Sequence, residues 1–290
     1  MIEIKNLCFG YKKSKNVLEN VNLNLKKGCI HGLFGKNGVG KTTLLKLIGG
    51  LQFPDKGEVK VGKFTPSERK VAFLADMSFI SEELYDSHLT IEKYVKINSV
   101  FYPNFSQQDF EAYLKDFEIE DTKQYLHKLS YGTKKKIFIS FGLACHCKLI
   151  LLDEPTNGLD IPSKSQFRKV ILRAMSDETC VVISTHQVRD LHNLIDSVLI
   201  LDDTNVLLNA DGLEICNKLY FGTSNNVQSN DKLLYSEDSA TGLQFIKENT
   251  ENEESELNIE LLFNAALSNK TRIRELFPQI DNRKGEENGI

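Results

Sequence analysis

Hydrophobic and polar residues alternate along the first stretch of the chain. Ile2, Ile4 and Leu7 predict one strand, and Val21, Leu23 and Leu25 predict a second. The short apolar run CIHGLF predicts a third strand that feeds directly into Gly35. The period then changes: Lys41–Ile48 reads as a helix ended by the glycine pair Gly49 and Gly50. Gly57–Val61 and Val71–Leu74 read as further strands.

From about Ser81 to Cys147 the pattern is helical. Thr90 precedes IEKYVKINSVF as a cap precedes an amphipathic helix, and SQQDFEAYLKDF and TKKKIFISFGLAC predict two more. Leu149–Leu152 is a continuous apolar run ending in Asp153, the form of a strand buried on both faces. A helix over Ser163–Met175, the strand CVVIS, a short helix and the strand SVLILD follow. Strands alternating with helices imply a mostly parallel sheet covered on both faces. After Val206 the pattern weakens, and the Glu- and Asn-rich segment Lys247–Glu256 reads as a solvated loop before a last helical stretch near Leu261–Leu267. The closing RKGEENGI reads as a frayed tail.

Composition narrows the classes open to such a chain. Its 290 residues, 41% hydrophobic and 26% charged, suit one large α/β domain or a domain with a small appendage. A formal net charge of -4 does not suggest a nucleic-acid binder, which presents a basic face. No run approaches the roughly 20 apolar residues that cross a bilayer, and the N-terminus lacks the apolar core of a secretory signal. The expectation is a cytoplasmic chain whose membrane work is done through a partner. Cys145, His146 and Cys147 carry metal-binding chemistry, but no second ligand pair stands at suitable spacing. The cysteines inside apolar runs therefore read as small hydrophobes.

The chemistry concentrates after the third strand. Gly35-Lys36-Asn37-Gly38-Val39-Gly40-Lys41-Thr42 matches the phosphate-loop pattern G-x-x-x-x-G-K-[ST], with an apolar strand before it and a helix after it. Glycines let backbone N–H groups approach phosphates, and the helix opened by Lys41, Thr42 and Thr43 offers its positive dipole end. Lys41 is placed to reach the β- and γ-phosphates of a nucleotide, and the Thr42 hydroxyl to ligate Mg²⁺. Asp153 and Glu154 close the LILL strand, at the sheet end where ligands bind in open α/β folds. Asp153 is then expected in the Mg²⁺ shell and Glu154 beside an attacking water.

With these residues in order, the chain resembles the ATP-binding cassette (ABC) ATPases over roughly its first 210 residues. Tyr11, in FGYKK, stands where that family stacks an aromatic ring on adenine. LLDEPTNGLD resembles the family's second acidic motif and the loop after it, including Asp160, and STHQ places His186 at its switch histidine. The resemblance implies a P-loop NTPase core with a mixed or parallel sheet. It implies a cassette over residues 1–210 with a helical subdomain inserted at about 81–147, and a C-terminal extension over 211–290. It also implies that two cassettes pair head to tail around two ATP molecules, each site being closed by the partner's signature sequence. That signature here reads Leu129-Ser130-Tyr131-Gly132-Thr133, where the family usually has a second glycine and a glutamine at the Tyr131 and Thr133 positions. Ser130 and the Gly132 backbone keep the parts that hold a γ-phosphate.

The family's glutamine loop, which touches Mg²⁺ and senses the membrane partner, aligns with Asp76, with Ser78 as the alternative. Lys134, Lys135 and Lys136 are expected on the exposed face of the signature helix. His31 and His192 read as packed or surface histidines.

The resemblance implies an ATPase that powers export through separately encoded transmembrane permease subunits, working as a homodimer on the inner face of the cell membrane. Two other readings stay open: a soluble ATPase of this superfamily acting on ribosomes or DNA, and a nucleotide-gated regulator. No nucleic acid is expected as a partner of the leading reading.

Overall fold

The computed structural model describes residues 1–12, 16–191, 193–224, 233–240 and 242–278. His192 and the closing RKGEENGI lie outside the described residues. The chain opens with β1 (Ile2–Phe9), β2 (Leu18–Leu25) and β3 (Cys29–Phe34), then α1 (Lys41–Ile48) and β4 (Lys56–Val61). Strands β2, β1 and β4 form an antiparallel sheet in that order, with Ile4 facing Leu23 on one side and Val59 on the other. The alternation read from Ile2, Ile4 and Leu7 puts all three in the core.

Next comes a departure from expectation. Val71–Leu74 is a single helical turn, α2, and the strand lies just beyond it as β5 (Met77–Ile80). The helical segment follows as α3 (Ile91–Asn98), α4 (Gln107–Asp116) and α5 (Tyr131–Ala144). Each starts where a side-chain oxygen accepts from an otherwise unpaired amide: Thr90 from Lys93, Ser106 from Asp109, and Ser130 from Thr133. Then come β6 (Leu149–Asp153), α6 (Ile161–Ala174), β7 (Cys180–Thr185) and β8 (Ser197–Asp202). The short helix expected between β7 and β8 is a 3₁₀ turn over Val188–Leu191.

Beyond β9 (Asn205–Asp211) and α7 (Gly212–Lys218), the weak pattern hides a second sheet. It consists of β10 (Leu219–Ser224), β11 (Leu233–Ser239) and β12 (Gly242–Glu248), antiparallel in the order β10-β12-β11. Lys247 and Glu248 thus close a strand rather than open a loop. Helices α8 (Ile259–Ser268) and α9 (Lys270–Leu276) follow.

The central sheet runs β5-β6-β7-β3-β8-β9, parallel except for β9. Every residue of β6, β7 and β8 is buried, which is why these strands read as unbroken apolar runs. One face packs the helical segment and α6 through Phe110, Leu114, Ile137 and Phe167. The other covers α1 and the β2-β1-β4 sheet through Leu44, Leu45 and Leu23. A third core joins Phe34, Ile200 and Leu208 to Ile246, Leu262 and Ile273 of the C-terminal elements. The result is a mixed α/β fold whose parallel strands all point their C-terminal ends toward the loop after β3.

Candidate nucleotide site

Strand β3 ends in fully buried Phe34 and the chain turns sharply at Gly35. A Cβ there would lie 2.8 Å from the Leu201 carbonyl oxygen, so the close approach of two backbones requires glycine. Lys36 and Asn37 are exposed in the loop, whereas Val39 packs against the core beneath α1. Gly38 faces open space, and Gly40, at φ 109°, starts α1 without any side-chain cap. The first-turn amides of α1, on Lys41, Thr42 and Thr43, therefore have no side-chain acceptor from a capping residue.

Lys41 is buried to 7% exposure, and its ammonium donates to the Gly35 carbonyl at 2.9 Å and the Lys36 carbonyl at 3.4 Å. It stands 3.6 Å from Glu154 Oε1. Burial lowers its pKa, and the Glu154, Asp153 and Glu82 carboxylates oppose the shift. The Thr42 hydroxyl donates to Asp153 Oδ2 at 2.8 Å, and Ser184 donates to Asp153 Oδ1 at 2.5 Å. Glu154 has a positive φ of 46°. Its amide donates to the Ser184 carbonyl at 3.0 Å, and its Oε1 stands 2.9 Å from His186 Nδ1.

Lys41, Thr42, Glu154 and His186 line a cleft of about 680 Å³ together with Tyr11, Asn37, Gly38, Glu82 and Asn157, while Asp153 lies beneath it, bonded to Thr42. Tyr11 is 59% exposed, its ring edge-on to Phe9 and its hydroxyl 3.1 Å from Thr43 Oγ1. The cleft offers a cation, uncapped amides, an exposed aromatic ring and a carboxylate–histidine pair, a donor set suited to phosphates and a flat base. Thr42 and Asp153 add the oxygen ligands of a hard cation.

Other expected residues fall elsewhere. Asp76 precedes β5, where its carboxylate accepts from the Lys148 amide at 2.9 Å. That is the opposite end of the sheet, separated from Asp153 by the length of β6, roughly 13 Å. Ser78, the alternative, is buried within β5. The acid that the loop after β5 brings to the cleft is Glu82, whose Oε1 accepts from Asn157 Nδ2 at 2.7 Å. Asn157 in turn accepts from Gln187 at 3.1 Å, so sequence reading missed a polar chain beside His186. Ser130, Gly132 and Asp160 do not line this cleft. Ser130 caps α5, and Asp160 caps α6 by accepting from the Ser163 amide at 2.9 Å.

The lysines after the signature also depart from expectation. Lys135 is fully buried, Lys134 pairs with Asp86 at 2.7 Å, and Lys136 lies 5.9 Å from the Phe117 ring centroid. Cys145 and Cys147 are buried free thiols, and His146 meets Asp109 at 2.8 Å. His31 is buried and bonded to the Lys26 carbonyl at 2.9 Å. No helix among the described residues is long and apolar enough to cross a membrane.

Comparison with known proteins gives the family. The ABC transporter family model matches residues 18–157. The ABC transporter ATP-binding protein YtrB of Bacillus subtilis is 31% identical over 71% of this chain and 72% of its own length. The SkfA peptide export ATP-binding protein SkfE of the same species is 29% identical over 71% of this chain and 87% of its own. A dimeric ATP-binding cassette solved in a post-hydrolysis state with ADP and Pi superimposes with a TM-score of 0.65 at 25% identity, over 73% of this chain and 98% of that one. The chain thus belongs to the ATP-binding proteins of ABC transporters, an ATPase family.

Proposed function

We propose that this ATPase is the motor of an export system, a homodimer held at the inner face of the cell membrane by separately encoded permease subunits. The observation that carries the chemistry is the convergence of Lys41, Thr42, Glu154 and His186 at one cleft with Asp153 beneath it, joined by the pairs Lys41–Glu154, Thr42–Asp153 and Glu154–His186. In this reading Lys41 and the α1 amides neutralise the triphosphate of ATP, and Tyr11 stacks on its base. Thr42 and Asp153 hold Mg²⁺, which when bound supplies charge neutralisation and orientation at the phosphate oxygens. Glu154 accepts the proton of the attacking water, while His186 orients that carboxylate and reaches toward the terminal phosphate. Glu82 takes the part first assigned to Asp76, because it is the acid after β5 that faces the cleft.

Ser130, Gly132 and Asp160 stand outside the cleft of their own chain, which suits residues that close the site of a second copy. The dimeric relative supports that pairing. Export is supported by the resemblance to SkfE, which serves peptide export.

The test is purification of the tagged protein from native membranes solubilised in detergent, followed by mass spectrometry. Recovery with a stoichiometric polytopic membrane protein is the expected result. Recovery only from the soluble fraction, alone or with ribosomes, rejects the transport reading and favours the soluble alternative.

A further inference from the structure

Among three consecutive lysines on α5, only Lys135 is fully buried. Its ammonium donates to the backbone carbonyl of Glu154 at 2.6 Å and to the Tyr131 hydroxyl at 3.2 Å. The Tyr131 hydroxyl donates its own hydrogen bond to the Glu82 carbonyl at 2.6 Å. One lysine therefore joins the signature helix to the turn that carries the paired acids, and through Tyr131 to the loop that carries Glu82.

The turn at Glu154 needs such a tie. A non-glycine residue at φ 46° is strained and persists only where its surroundings over-determine it. Contacts at the amide, the carboxylate and the carbonyl fix this one. Ser184 receives the amide, His186 and Lys41 face the carboxylate, and the carbonyl accepts from the Asn157 amide at 3.2 Å and from Lys135 at 2.6 Å. Of the backbone bonds, the one from Lys135 is made by a charged donor, which makes it a strong one.

We propose that Lys135 is a positioning residue of the ATPase reaction: it fixes the peptide of Glu154, and hence the aim of its carboxylate, from the signature helix. The proposal rests on the assignment of Glu154 as the base. It also explains the Tyr131 departure from the family signature, since a glycine there could not supply the hydroxyl that Lys135 and the Glu82 carbonyl share. Burying an ammonium is unfavourable, and desolvation pushes the Lys135 pKa down to about 8 against the pull of the Glu82, Asp153 and Glu154 carboxylates. An apolar side chain of equal length would avoid that penalty but leave the Glu154 carbonyl with the longer, neutral bond from the Asn157 amide at 3.2 Å in place of the charged one.

That contrast defines the experiment: Lys135→Met removes the donor and keeps the volume, while Lys135→Gln restores an N–H donor. In the full chain, Met is expected to lower kcat at least about tenfold with ATP affinity unchanged within about twofold, because misaiming a reacting group acts on the chemical step. Gln should recover most of that loss. If Met leaves kcat within about twofold of the parent, the proposal is wrong. It is equally overturned if Met and Gln lose activity and ATP binding together, which would mark a structural contact. Should Met fail to fold, the Gln variant decides alone: near-parental kcat supports the donor role and a tenfold loss overturns it.

Glu154→Gln separates this idea from the one beneath it. Inactive Glu154→Gln with a normal Lys135→Met sinks only the Lys135 proposal. Near-normal turnover by Glu154→Gln sinks the assignment of the base, whatever Lys135 does. When both hold, Lys135→Met added to Glu154→Gln should cost little further, since the two act as one unit.

Discussion

Glu154 is where local strain and charge meet. Its carboxylate lies 3.6 Å from the buried Lys41 ammonium and 2.9 Å from His186, at a backbone angle that a side chain seldom adopts. Replacing Glu154 with Gln keeps the volume and removes the proton acceptor. Turnover should fall at least about a hundredfold while Mg-ATP still binds. Phosphate release and calorimetry check the two halves, and near-normal release would take Glu154 out of its role. Lys41, Thr42, Asp153 and Glu154 were legible in the sequence, because motif spacing and strand ends together fix them at one edge of the sheet, and His186 came from the resemblance to the ABC family. Glu82 was not, since it is one acid of an adjacent pair in a polar segment. Lys135 could have been found: it lies four residues before Ile139 and eight before Leu143, on the stripe of α5 that is buried. The bias toward placing lysines in solvent concealed that phase.

At the scale of elements, one short misreading moved a functional assignment. VAFL is as apolar as a strand and as short as a turn, and periodicity over four residues cannot tell them apart. Taking it as the strand placed the following loop at Asp76, whereas the true strand, β5, delivers its loop six positions later at Glu82. The C-terminal sheet was lost for a different reason. Its strands are mostly half-buried on both faces, so they lack the clean alternation that marks a one-sided sheet.

The contact between the signature and the turn before α6 makes a prediction at this same scale. Gly158 has φ 77°, and a Cβ there would lie 2.6 Å from the Tyr131 ring. Gly158→Ala should destabilise the chain by about 1–2 kcal/mol from the left-handed backbone alone, with more from the ring. Removing the ring with Tyr131→Ala should relieve the second part and leave the first. Denaturant midpoints of the two single variants and the double variant measure both, and equal losses with and without the ring would refute the steric part.

The whole molecule buries thiols as well as apolar side chains, and this gives it an alkaline limit. Burial pushes Cys180 up to about 12 from an ordinary 9.0. Between those values the folded chain keeps a proton that the unfolded chain has lost. The contribution is therefore complete below pH 9.0 and is lost as pH rises toward 12. Cys180→Ala removes this one titration and leaves every other group in place. Its stability gap from the parent should narrow above pH 9 by up to about 1.4 kcal/mol per pH unit. Urea midpoints at successive pH values check it, and a gap that stays constant would refute it.

Phe34 belongs to two structures at once. It is the last residue of the strand that feeds the phosphate loop, and it sits in the core formed with the C-terminal helices. Lys270 strengthens the same seam, pairing with Asp202 and Asp203 beside the outer wall of the loop. Any coupling carried across this seam would be reciprocal, the loop acting on the helices by as much as the helices act on the loop. The seam is, in the language of linkage, the place where such a coupling would be read.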